Sequence, residues 1–344
     1  TFQTLSYTID VYRKEMQPTK SFIDFAAFVT FFPQLVAGPI ERASHLLPQF
    51  YKNRTFDYQN AVDGVKLIIW GMFKKVVVAD NCAFFVNKIF ENPEAYSSGE
   101  LFVGMVFFAF QIYGDFSGYS DMAIGISKLF GFDLMVNFKF PYFSRDIAEF
   151  WRRWHISLST WFRDYIYIPL GGSKGTQWFQ IRNVMIIFLV SGFWHGANWT
   201  YVVWGLFHAL MFLPLLLFNV NRSHLITKSY GWLDFAKIGV TFLVVCIGWV
   251  FFRADSITDA FQYLAHLFEL KSLGLSLFYK TNANLMIFAL SVMAVGILSM
   301  QELVWVIKKR DLPKISAFGA LLLVLLIFFM GSFKNQMDFI YFQF

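Results

Sequence analysis

This sequence has little charge. Only 15% of its 344 residues are Asp, Glu, Lys or Arg, while 57% are hydrophobic and 21% aromatic, with 45 Phe. That balance excludes an ordinary water-soluble domain of this length. Cysteine is scarcer still, with two residues. Cys82 and Cys246 stand in separate apolar segments with no partner at metal-ligand spacing, which excludes a disulfide framework and a zinc site and leaves both as packing residues. There is no internal repeat, no low-complexity tract and no G-x-S-x-G elbow. Gly171-Gly172-Ser173-Lys174-Gly175 lacks the spacing of a phosphate loop and follows no strand, so it reads as a turn after Pro169. The chain opens at Thr1 without a charged region before an apolar core, so no signal peptide is expected there.

What is present is a series of apolar stretches, near 22–40, 62–90, 101–130, 183–219, 235–252, 285–307 and 316–331. A span needs about 20 mostly apolar residues, so the expected class is an all-α, polytopic integral membrane protein forming one domain over 1–344. The stretch 183–219 is too long for one span and is interrupted by Gly192, Gly196 and Asn198 to Thr200, which predicts two helices meeting inside the membrane. The net charge of +6 comes from short Lys and Arg clusters between apolar runs, the pattern of cytoplasmic loops and not of a nucleic-acid binder. Ile257 to Leu270 reads as an amphipathic surface helix in an external loop, and the end of the chain is expected outside.

Between 139 and 182 the composition changes. Arg145, Arg152, Arg153, Arg163 and Arg182 alternate with Trp151, Trp154, Trp161, Tyr165 and Tyr167, an interfacial pattern on the cytoplasmic side. Arg152 and Arg153 have two readings, as anchors that snorkel to the interface or as a patch for an anionic acyl donor.

His195 is the principal candidate for chemistry. It stands in Ser191-Gly192-Phe193-Trp194-His195-Gly196-Ala197-Asn198, thirteen residues beyond Arg182. A helix between the two would be about 20 Å long, which puts the imidazole deep in the bilayer, where an ionisable group is costly and marks function by default. The alternative is a neutral packing histidine bonded to a carbonyl. Trp194 and Asn198 are its candidate supports. His155 is a second candidate, with a structural interfacial role as its alternative. Asp115 and Asp121 sit inside an apolar segment and carry the same energetic flag, or else hold helices together. His208 reads as a packing residue.

Pro33 to Ile40, the Asp115 to Asp121 segment, Trp151 to Trp161, Arg163 to Gly172 and Phe193 to Asn198 together resemble the bacterial membrane-bound O-acyltransferases, above all those acting on alginate. The resemblance covers essentially the whole chain. It implies a helical bundle with broken or re-entrant helices around a funnel, with His195 as the essential embedded histidine and His155 as its partner. It also implies no bound cofactor or metal, and an acyl-thioester donor such as acetyl-coenzyme A on the cytoplasmic side. The partners it implies are membrane lipids and polysaccharide-acetylation proteins beyond a bacterial inner membrane, and further helices would precede Thr1. Phe339 to Phe344 fits F-x-Y-x-x-F, similar to the end of a small companion protein of teichoic acid D-alanylation, so Tyr341 is a candidate acyl carrier, with an aromatic anchor at the lipid interface as the alternative. The alternatives are a family member acting on another acceptor, such as peptidoglycan, cellulose, teichoic acid in D-alanylation, a protein or a lipid, and, ranked below these, a secondary transporter. The missing repeat and the Trp/Arg block favour the enzyme.

Overall fold

A computed structural model describes residues 2–226, 230–270, 272–333, 339 and 340. Among these residues every regular element is a helix, with no strand, and four helices are long and apolar enough to cross a membrane. It is an all-α integral membrane protein.

The N-terminal helices α1 (Phe2–Tyr12), α2 (Phe22–Val29) and α3 (Ala43–Phe50) are short. The apolar stretch 22–40, expected to span, does not continue as one helix. It ends at Thr30 and turns through the 3-10 segment Phe32–Gln34, because Pro33 lacks an N–H and restricts the residue before it.

Next come α4 (Tyr58–Met72), a π-helical segment Phe73–Ala79 and α5 (Asp80–Glu91), which follow one another without a break. They run antiparallel to α6 (Ser98–Leu129), which starts at a capping box of Ser97 and Glu100. Glycines let the two backbones touch. A Cβ on Gly118 would meet the Gly71 carbonyl oxygen at 2.7 Å, and one on Gly125 would meet that of Gly64 at 2.5 Å. The apolar window of α6 is 78% buried inside the protein, so this helix is the central pillar.

The basic and aromatic block folds as α7 (Ile147–Arg153) and α8 (Ile156–Phe162), followed by the π turn Arg163–Tyr167 and a glycine turn. Gly171, Gly172 and Gly175 all have positive φ there, as a turn and not a phosphate loop requires. The stretch 183–219 is two helices, α9 (Gln177–His195) and α10 (Trp199–Leu217), joined by three residues. A Cβ on Gly192 would run into the Tyr201 carbonyl, and one on Gly205 into that of Phe188.

After the short α11 (Ser223–Ile226), α12 (Trp232–Arg253) lies against α10. The amphipathic α13 (Ile257–Glu269), the short α14 (Ser276–Tyr279), α15 (Asn282–Ile307) and α16 (Ala317–Met330) complete the bundle. Only 22% of the α15 window is buried by protein, against 78% for α6, so α15 turns most of its apolar surface outward, as a helix against lipid does.

Candidate functional site

The helix α9 stops at His195. Asn198 begins the next helix, its Oδ1 accepting the Thr200 N–H at 3.1 Å while its Nδ2 donates to the Asp255 carbonyl at 2.8 Å. Asn198 therefore fixes the turn that carries His195 and the start of α13, and its amide is spent on those bonds. The imidazole is ringed by Trp194 at 4.9 Å, Trp204 at 5.1 Å and Phe252 at 5.1 Å. It hydrogen-bonds none of the described residues.

His195 faces a chamber of about 100 Å³ shared with Phe116, Trp154, Trp204, Trp249 and Ile340. Phe116 stands near the middle of α6, a helix of 32 residues, so the chamber lies at mid-depth in the bundle. Trp204 is fully buried, and its indole N–H has no partner among the described residues. A buried donor without a partner carries a desolvation cost, and here it belongs to a ring that touches the imidazole.

His155 caps the start of α8 in a left-handed conformation, φ +43, which a non-glycine residue adopts only when its surroundings enforce it. Asn137 does the enforcing. Its Oδ1 accepts the Ser157 N–H at 3.2 Å and the Ser157 hydroxyl at 2.9 Å, and it lies 3.1 Å from His155 Nδ1. Since that oxygen only accepts, Nδ1 is the donor and Nε2 is left as the accepting nitrogen. The His155 ring packs edge-on against Phe116 at 4.7 Å, and Phe116 lines the His195 chamber.

Arg152 and Arg153 separate. Arg153 is absorbed by an ion pair with Glu149 and a 2.7 Å bond to the Tyr230 hydroxyl. Arg152 faces a much larger cavity, about 910 Å³, together with Arg163, Arg222, Trp151 and Phe188. This cavity reaches Ser191 on α9, one turn before His195. Trp151 on its wall packs against Trp204 at 5.6 Å, so the two spaces meet at a pair of indole rings. His208 lies beside that pair, 5.0 Å from Trp151 and 5.1 Å from Trp204, with both ring nitrogens unpartnered among the described residues.

Asp115 is 2.8 Å from Lys75, which also reaches Asp80 at 2.9 Å. Its other carboxylate oxygen accepts the backbone N–H of Ile340 at 2.6 Å. Asp121 pairs with Lys74 at 2.6 Å and so ties α6 to the π segment. Tyr341, the candidate carrier, lies outside the described residues.

The profile of the membrane-bound O-acyltransferases matches residues 12–258. The chain belongs to that family. Among its relatives in the membrane-bound O-acyltransferase family, the probable alginate O-acetylase of Pseudomonas aeruginosa is 42% identical over 284 residues, 82% of this chain and 53% of the relative. The peptidoglycan O-acetyltransferase of Helicobacter pylori is 37% identical over 304 residues, 80% of this chain and 56% of the relative. The teichoic acid D-alanyltransferase of Streptococcus thermophilus is 34% identical over 203 residues, 54% of this chain and 48% of the relative. The chain spans about half the length of these relatives.

Sequence reasoning did not find Asn137, Trp204, Lys75 or Ile340 as site residues. For Lys75 a signal existed, since Lys74, Lys75 and Asp80 are charges inside the apolar run 62–90.

Proposed function

We propose that this chain is the membrane-embedded part of a bacterial O-acyltransferase that passes an acetyl group from a cytoplasmic thioester to hydroxyls of a cell-envelope polysaccharide such as alginate. The observation that carries the reading is the pairing of two spaces around the His195 imidazole, which hydrogen-bonds none of the described residues. A large cavity with Arg152, Arg163 and Arg222 suits an anionic thioester such as acetyl-coenzyme A. The small chamber behind it holds His195 and the end of the described chain, Ile340.

In this reading His195 takes the proton of an acceptor hydroxyl as its oxygen bonds to the thioester carbonyl carbon. The carbon–sulfur bond then breaks, and the imidazolium returns the proton to the departing thiolate. The Trp204 N–H is the donor available to the carbonyl oxygen as it becomes an oxyanion. His155, oriented by Asn137, is the partner base, and Trp194 and Asn198 hold the turn around His195. Tyr341 is the first acceptor, from which polysaccharide-acetylation proteins outside the inner membrane collect the group. No bound cofactor or metal has a step here, and surrounding lipid completes the site's walls.

Relatives named for peptidoglycan and teichoic acid support a second reading, in which the chemistry is the same and the acceptor or acyl group differs. Both readings are tested by assaying folded His195→Ala protein with labelled acetyl-coenzyme A and measuring O-acetyl content of the envelope polymers. Loss of a general base costs about 10²- to 10⁴-fold; transfer at the parental rate would sink the assignment. Mass spectrometry of the C-terminal peptide tests Tyr341, with a His195-dependent acetyl group as the expected result and its absence counting for direct transfer.

A further inference from the structure

The described residues at the end of α16 and beyond it are held against the centre of the bundle through their backbone groups. The Met330 carbonyl accepts from Asn81 Nδ2 at 2.9 Å, and the Ser332 N–H donates to the Val76 carbonyl at 3.0 Å. Val76 lies in the π segment, where the helical ladder is widened and a carbonyl is free to take a partner from outside the helix. Phe339 then packs on Tyr119 of α6 at 5.6 Å, and the Ile340 N–H reaches Asp115 at 2.6 Å. Ile340 is 1% exposed and lines the chamber of His195.

A carboxylate in the middle of a spanning helix is expensive unless paired. Holding α4 and α6 together does not account for it, because their glycine contacts already bring the backbones together and Lys74 with Asp121 already ties the same elements. What Asp115 adds is directed elsewhere. One oxygen is held by Lys75, which Asp80 fixes from the other side, and the second points at the peptide nitrogen of the residue before Tyr341.

We propose that Asp115, oriented by Lys75 and Asp80, is a positioning residue that latches the C-terminal segment into the His195 chamber. The π segment supplies the second hold, through Val76. The latch acts on the Ile340 backbone N–H and not on its side chain, so it holds whatever side chain stands at that position. This deepens the reading of the chamber as an acyl-transfer site and rests on it. Docking itself is measurable without any transfer.

The test places photoreactive benzoylphenylalanine at Phe339 in the full chain in its membrane, and scores by mass spectrometry the adduct formed with the α6 peptide around Tyr119. The parent is expected to give the adduct. Asp115→Ala should lower its yield by roughly tenfold, the scale of one lost bond to a charged group. Ile340→Pro removes the N–H while leaving the Lys75 cluster untouched, and should lower the yield equally, whereas Ile340→Val keeps the N–H and the yield. If Asp115→Ala does not elute as a folded protein, the Pro and Val pair decides. Unchanged yield in Ile340→Pro overturns the latch. Loss of adduct with polymer acetylation unchanged upholds the latch and rejects the segment as acyl carrier, so the two readings fail separately.

Discussion

Asn137 Oδ1 sits 3.1 Å from His155 Nδ1 and at the same time accepts both the backbone N–H and the hydroxyl of Ser157. One amide oxygen thus holds a left-handed histidine and the first turn of α8. Asn137→Leu strands buried donors, each costing about 1–3 kcal/mol. The variant should melt several degrees lower in detergent and transfer acyl groups more slowly, while Ser157→Ala, which strands only the Ile40 N–H that its hydroxyl accepts at 3.0 Å, should do less of both. Equal melting temperatures for Asn137→Leu and the parent would remove Asn137 from this role.

Arg152 predicts a split in kinetics. Because it lines the large cavity and Arg153 is bound to Glu149, Arg152→Gln should raise KM for an anionic thioester by about tenfold, the scale of one charge-assisted bond, with kcat little changed. Arg153→Gln should act on stability instead. Steady-state assays against donor concentration, alongside melting curves, separate the two.

Close packing along α4 and α6 predicts intolerance at Gly118. Since a Cβ there meets the Gly71 oxygen at 2.7 Å, Gly118→Val should cost about 1–3 kcal/mol through overpacking, and Gly71→Ala should not rescue it. A control at Gly296, where a Cβ meets nothing within 4 Å, should melt like the parent when changed to Ala.

His45 provides a pH dependence outside the spanning helices. Asp133 and the buried Glu41 carboxylate, 2.7 Å away, push the His45 imidazole up to about 10, from an ordinary value near 6.5. A folded-state value above the unfolded one contributes stability that is fully present below about pH 6.5 and is lost as pH rises through about 10. Melting temperature should therefore decline across that window, and His45→Gln should flatten the decline. An unchanged slope in His45→Gln would assign it to other groups.

Much of the architecture is legible because hydrocarbon demands it. The runs that become α6, α10, α12 and α15 have to be long and apolar, and the interruption at Gly196 to Asn198 marks a true helix end. The helix at Ile257–Glu269 follows from its spacing, with Ala260, Tyr263 and Leu267 buried on one face. The run 22–40 misleads, since its hydropathy is that of a span while Pro33 breaks it. The π segment is invisible because an added residue in a helix leaves no mark on composition.

His195 is legible for the opposite reason, as a polar group where polarity is costly. Trp204 and Ile340 are ordinary residues for an apolar protein and acquire meaning only from neighbours far along the chain. The contact between Asp115 and Ile340 bridges 225 positions, a distance that no local spacing rule reaches.

The π segment Phe73–Ala79 also sets a rule about length. A helix advances about 100° per residue, so deleting one residue there would close the ladder and turn Asp80, Asn81 and the rest of α5 by that angle relative to α4. The glycine seam with α6 and the bonds to Met330 and Ser332 then face different ways. Point substitutions in this stretch are local events, whereas a single-codon deletion is a change of gearing for the whole bundle.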